Sequence, residues 1–326
     1  METVESIPTR SAAHAGDYLQ LLRPTQWVKN VVVFAGPAAC LKLLSPSSLV
    51  DAIIAFAAFC AVASAGYAIN DAVDRKADAS HPTKRNRAVA RGAIKPATAV
   101  MIGVLLLILA TGSTAMLLDP AVTFVLGAYF VMTLAYSLAL KRRVILDVII
   151  IATGFVLRAW AGSLAVGVTT SEWLVACMFT LCLFMGFGKR RCELAMIGNI
   201  DEAGQHRPTL LRYTPDLLNH LITVSAGIAV MTFLLYTLDT SRSPSPFPRE
   251  HLFYTLPIVV YGVFRFAMLT ETGLHSGPTE IVLKDKAILV TVLLWTAAAL
   301  TIAYQDALLG PAGLTRWLSL SQPSPG

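Results

Sequence analysis

The chain has 326 residues, room for one large domain or two ordinary ones, and 55% of them are hydrophobic against 14% charged. Typical soluble domains carry roughly a quarter charged residues, and a soluble globule with a mean hydropathy of +0.63 would expose apolar patches that invite association. Lipid is therefore the solvent for most of the chain, which excludes a cytosolic enzyme, a secreted disulfide scaffold and a disordered protein. The net charge of +6 reads as a topology signal, and nucleic acid is not an expected partner.

In chain order, the first 26 residues lack an apolar core, so no cleavable signal peptide is expected. Residues 1–20 read as a flexible tail and 307–326 as a second one, flanking a single integral-membrane domain. Stretches apolar enough to cross about 30 Å of hydrocarbon follow at 28–44, 49–70, 97–118, 120–140, 144–168, 171–188, 216–238, 252–270 and 287–305. The first is short and interrupted by Pro37. Strand-like alternation is absent, and lipid offers no partner to open backbone groups, so all should be helices. The expected class is all-α: a polytopic membrane bundle of about nine transmembrane helices with a cytoplasm-facing active-site cavity. Ser241–Pro248 reads as a Pro/Ser linker, and His81, His206 and His275 as surface residues. Gly154, Gly162 and Gly186 should permit close helix packing. The cysteines contain no CxxC pair and read as small buried hydrophobes.

The basic residues set the orientation. With the N-terminus inside, 20 of the 26 Lys and Arg fall on the cytoplasmic face and only Lys42, Arg242, Arg249 and Arg316 on the other. Two lie within spans: Arg265, expected to snorkel, and Arg158, mid-span, where an ionised side chain must face the bundle interior, a partner or a polar cavity. A structural ion pair and a ligand contact at the cavity floor both fit Arg158.

The densest polar segment closes the second span. If the helix continues, Asn70, Asp74 and Asp78 share one face, with Asp71 one step round. Carboxylates on one stripe repel unless a cation sits among them, and hard oxygens suit Mg²⁺ completed by substrate phosphates. A solvated polar cap is the alternative. Lys84, Arg85, Arg87 and Arg91 follow within a few residues. An acidic cradle beside guanidinium groups favours a diphosphate, whose charge both can neutralise.

Asn70-Asp71-x-x-Asp74-x-x-x-Asp78, followed by Lys84-Arg85-Asn86-Arg87, resembles the first aspartate-rich motif of the UbiA-type intramembrane prenyltransferase superfamily. The resemblance covers nearly the whole chain. It implies a Mg²⁺-diphosphate held among the helices, with Asn70, Asp74 and Asp78 as metal ligands and Asp71, Asp74 and Asp78 as catalytic residues. The second motif departs from the aromatic prenyltransferases: Tyr136-Ser137 precedes Lys141-Arg142-Arg143 and then Asp147, with Ile151 where another acid would stand. Together with Arg23-Pro24-Thr25-Gln26-Trp27-Val28-Lys29-Asn30, Gly188-Lys189-Arg190-Arg191-Cys192-Glu193-Leu194, and Pro278-Thr279-Glu280-Ile281 leading to Asp285, this resembles the decaprenyl-phosphate phosphoribosyltransferase branch.

That branch implies Mg-dependent transfer of a 5-phosphoribosyl group from phosphoribosyl pyrophosphate (PRPP) to a polyprenyl phosphate at the bacterial inner membrane, in cell-envelope precursor synthesis. The expected substrate-binding residues are Arg23, Gln26, Lys29, Lys84, Arg85, Arg87, Tyr136, Lys141, Asp147, Arg158, Lys189, Arg190 and Glu193, with Tyr136, Lys141 and Lys189 on the 5-phosphate. Arg23, Gln26 and Lys29 also suit interfacial anchoring beside Trp27, and Lys189 could simply pair with Glu193. A prenyl diphosphate:aromatic acceptor prenyltransferase is the alternative within the superfamily, disfavoured by the missing second acid pair. A secondary transporter is disfavoured because no internal repeat appears and the charges gather at one face. Polyprenyl length, Mg²⁺ count and oligomeric state stay open.

Overall fold

The computed structural model describes residues 13–80, 84–196, 210–239 and 247–304. His81, His206, Arg207, Arg242, Arg316, residues 241–246 of the Ser241–Pro248 linker, and the terminal segments 1–12 and 305–326 lie outside the described residues. Among the described residues there is no strand, and eight helices are long and apolar enough to cross a membrane. They are labelled α1 Pro46–Val73, α2 Pro96–Leu117, α3 Pro120–Leu138, α4 Leu146–Ala165, α5 Glu172–Met196, α6 Pro215–Leu238, α7 Leu256–Glu271 and α8 Lys286–Ala303. A 3₁₀ segment, Arg249–Thr255, leads into α7, and the two together, Arg249–Glu271, make the seventh span.

Helix starts follow local chemistry. Pro46, Pro96, Pro120 and Pro215 each open a helix, where the missing N–H costs nothing. Thr214 caps α6 by accepting from Leu217 N at 3.2 Å, and Asp285 caps α8 by accepting from Ile288 N at 2.9 Å.

The first expected span, 28–44, is not one helix. Arg23 takes a left-handed backbone (φ 53°) and a 3₁₀ run covers Pro24–Phe34, followed by a five-residue α-helix at Ala35–Ala39 and a 3₁₀ turn at Lys42–Leu44. Pro37 has no N–H to continue an i→i−4 ladder, and Leu41 (φ 55°) ends the short helix with a left-handed turn. A preceding helix, Ala15–Leu22, is tied down by buried Asp17, which pairs with Arg91; residues from Ala15 onward are thus helical, not tail.

The chain forms two compact units. The first holds the segment through Ala35, then Pro46–Leu138 and Leu157–Gly167; the second holds Gly36–Ser45, Ala139–Val156 and the chain from Val168 on. In the first unit α1 packs closely on α2 through small residues: Ala55, Ala58, Ala65 and Ala68 are buried, and a methyl on Gly103 would meet Ala65 O at 3.1 Å. Without a hydrophobic drive between helices in lipid, such small-residue seams supply the contact. A methyl on Gly162 would lie 1.7 Å from Val33 O, so that backbone approach requires glycine. The second unit is built on α5 and α6, with Val148, Phe184, Phe187, Tyr213, Leu218 and Phe266 in its core. Gly186 allows Val148 to sit 2.5 Å from where a Cβ would be. All five cysteines are free.

Candidate functional site

The acidic stripe keeps its register. Asp74 N donates to Asn70 O and Asp78 N to Asp74 O, both at 2.8 Å, so positions 70, 74 and 78 follow one another at helical spacing. The helix itself pauses at Asp74 between α1 and a short turn at Arg75–Ala79.

The stripe divides in two. Asp71 and Asp78 are buried, at 3% and 4% exposure. Arg23 Nη2 reaches Asp71 Oδ1 at 2.6 Å, and Arg87 Nη1 bridges Asp71 Oδ1 at 3.1 Å and Asp78 Oδ2 at 2.7 Å. Arg23 also lies over the Tyr67 ring, 4.7 Å from its centre. Its left-handed backbone redirects the chain where Ala15–Leu22 ends, and a non-glycine residue in that region signals a constrained position. Asn70 and Asp74 form the other half: Asn70 Nδ2 donates to Asp74 Oδ2 at 3.1 Å. Of the remaining expected residues in this unit, Gln26, Lys84 and Tyr136 are half-buried, while Lys29 and Arg85 are exposed.

No three His, Cys, Asp or Glu side chains among the described residues converge as a metal cage. Magnesium does not require one; it is bound by one or two carboxylates plus substrate phosphates. The oxygens of Asn70, Asp74 and Asp78, all hard donors in one helical register, fit that chemistry.

Arg158 is buried in the same unit. Its Nε donates to Asn30 Oδ1 at 2.7 Å, its Nη2 to Tyr129 Oη at 2.6 Å, and its guanidinium lies 4.5 Å from the Tyr129 ring centre. Asn30 and Tyr129 were not legible as partners, since nothing in sequence spacing links positions 128 and 29 residues away.

The second unit gathers Asp147, Arg190 and Glu193, with Lys189 nearby. Arg190 Nε donates to Asp147 Oδ2 at 3.2 Å, with the two side chains 2% and 0% exposed. Arg190 Nη1 also binds Glu193, leaving Lys189 a looser 3.9 Å from that carboxylate. Tyr213, absent from the expected set, donates to Asp147 Oδ1 at 2.9 Å and accepts from Ile145 N at 2.7 Å. Burial pushes the Tyr213 phenol up, so it keeps the proton it donates. Lys141 is half-buried on the turn just before Ile145. Arg265 reaches the cap residue of α8, forming a two-pronged pair with Asp285 at 3.0 and 2.7 Å.

Eight apolar helices of membrane-crossing length, with hard oxygen donors and buried arginine–carboxylate pairs at the end of α1, define a helical membrane protein. The chain belongs to the UbiA prenyltransferase family, whose family model matches residues 31–270. It is similar to the decaprenyl-phosphate phosphoribosyltransferase of Corynebacterium glutamicum, 33% identical over 293 residues that cover 89% of this chain and 87% of the relative. The enzyme of that name from Mycobacterium tuberculosis H37Rv is 32% identical over 304 residues, covering 90% and 96%. Among solved structures, a UbiA homolog from Archaeoglobus fulgidus bound to DMAPP and Mg²⁺ matches the fold with a TM-score of 0.63 at 17% identity, over 88% of this chain and 99% of the other.

Proposed function

We propose that the protein transfers a 5-phosphoribosyl group from PRPP to a long polyprenyl phosphate, acting as one transferase in a bacterial plasma membrane with its motif loops on the cytoplasmic side, where it supplies a cell-envelope precursor. The observation that carries this reading is the α1 terminus, where Asn70, Asp74 and Asp78 align beside two arginines already anchored on Asp71. The similarity to phosphoribosyltransferases over most of the chain supports the choice of substrates.

Asn70, Asp74 and Asp78 would hold a magnesium ion, which when bound would supply charge neutralisation for a departing pyrophosphate. Arg23 and Arg87 each have donors beyond those spent on the carboxylates and offer them to phosphate oxygens. Lys84 and Arg85 add positive charge at the same helix end, and Lys141 and Lys189 serve substrate phosphate in the second unit. Asp147, Arg190 and Glu193 act in support of those cations. The bond from the anomeric carbon to pyrophosphate breaks, its electron pair leaves with pyrophosphate, and an oxygen of the polyprenyl phosphate bonds to the carbon. That oxygen is ionised before reaction, so no general base is needed. Holding two anionic partners together is the larger task, and the cations perform it.

The test is incubation of the purified full chain with ribose-labelled PRPP, polyprenyl phosphate and Mg²⁺. Label should enter the lipid, and Asp74→Asn should lower the rate and raise the Mg²⁺ requirement by about 10–100-fold. An unlabelled lipid, with prenyl transfer from a prenyl diphosphate to an aromatic acceptor instead, would replace this reading with the other chemistry of the family.

A further inference from the structure

We infer that Tyr213 is a positioning residue, whose phenol pins the backbone turn at Ile145 and thereby holds the Lys141–Arg143 cations where they meet a substrate phosphate. This role rests on the phosphoribosyl-transfer reading.

The turn is unusual. Ile145 has φ 66°, a left-handed conformation in which a β-branched side chain is a genuine outlier. Leu146 N folds back onto Val144 O at 2.7 Å, while Arg142 N and Arg143 N close a 3₁₀ turn on Ala139 O and Leu140 O at 3.3 and 3.0 Å. Three consecutive cations, Lys141, Arg142 and Arg143, thus sit on a tight turn that leads directly into a strained residue. Such a conformation persists only where its surroundings over-determine it.

Tyr213 supplies that constraint. Ile145 precedes the first residue of α4, so the helix offers its N–H no partner; it donates instead to Tyr213 Oη at 2.7 Å. The phenol proton is committed to Asp147 Oδ1, and Arg190 holds the other oxygen of that carboxylate. The direction of every bond is fixed by this arrangement, because the phenol accepts from the amide and donates to the carboxylate. The ring is 4% exposed and sits in the core with Val148, Phe187 and Leu218, so packing places it with or without its hydroxyl. Loss of the hydroxyl therefore releases the turn and leaves the core intact. The acid of the second motif is accordingly an anchor for the cation turn.

The experiment compares wild type, Tyr213→Phe, Ile145→Gly and the double variant as full-length protein in nanodiscs, measuring PRPP kinetics at saturating polyprenyl phosphate and hydrogen exchange across residues 139–146. Tyr213→Phe should raise the PRPP KM about tenfold, the worth of one hydrogen bond at the upper end of its usual range, with kcat nearly unchanged and protection of the turn lost. Glycine adopts a positive φ without strain, so the double variant should recover most of the KM. An unchanged KM in Tyr213→Phe overturns the role while the reaction stands. A raised KM that Ile145→Gly does not restore also overturns it, and traces the defect to the carboxylate that lost its donor. Absence of transfer by wild type overturns the reaction, and this role with it.

Discussion

Replacing Asp71 by asparagine keeps the shape of the side chain and removes the anion between Arg23 and Arg87. In the structure one oxygen takes both guanidinium groups, at 2.6 and 3.1 Å, from a carboxylate only 4% exposed. Removing one partner of a buried ion pair costs about 3–5 kcal/mol. The two arginines are 25% exposed, so water screens part of the loss and the lower end, about 3 kcal/mol, is expected. For a chain of 326 residues that corresponds to a fall in Tm of roughly 4 °C, readable by thermal unfolding of the detergent-solubilised protein. Released from Asp71, Arg23 loses its fixed geometry while Arg87 keeps its bond to Asp78, so the PRPP KM should rise while the Mg²⁺ requirement stays at the wild-type level. Wild-type stability would refute the reasoning on packing and charge. A raised Mg²⁺ requirement with unchanged PRPP KM would refute the assignment, making Asp71 a metal ligand.

Glycine substitutions should act with opposite signs. Gly162→Ala places a methyl 1.7 Å from Val33 O, one helical turn from Arg158, and should cost more than the usual ~1–3 kcal/mol of overpacking and reduce activity with it. Gly127→Ala meets nothing within 4 Å and should be neutral or stabilising by up to about 1 kcal/mol in the same unfolding assay. Acid stability should report the Arg265–Asp285 pair. The hydrogen bonds from Arg265 hold the Asp285 carboxyl down to about 2 from an ordinary 3.8, so the unfolded chain takes up that proton at a higher pH than the folded one. Stability from this pair is complete above about pH 4 and is lost as pH falls towards about 2; thermal scans across that window should show the slope, and Asp285→Asn should flatten it.

Most of the membrane architecture is legible in one dimension because the hydrocarbon core imposes length and apolarity on each helix separately. The last eight expected stretches appear as α1 to α8 within a few residues at most ends, apart from a longer α5 and the 3₁₀ entry to α7. The register of Asn70, Asp74 and Asp78 was legible for a similar reason, since helical spacing is a local property. The broken segment at 28–44 was not, beyond the warning from Pro37, because its shape depends on Asn30 turning inward to Arg158.

Partner choice belongs to tertiary structure. Sequence composition placed acids and cations near one helix end, but only the folded chain shows Arg87 bridging Asp71 to Asp78 and Asn70 donating to Asp74. Sequence likewise marked Arg158 as needing a partner without naming Asn30 and Tyr129, and it passed over Tyr213 entirely. Helix formation in lipid is decided by forces acting within about one turn or one span. Which charged or polar group satisfies another is decided by contacts between residues tens of positions apart, and no periodicity along the chain encodes them.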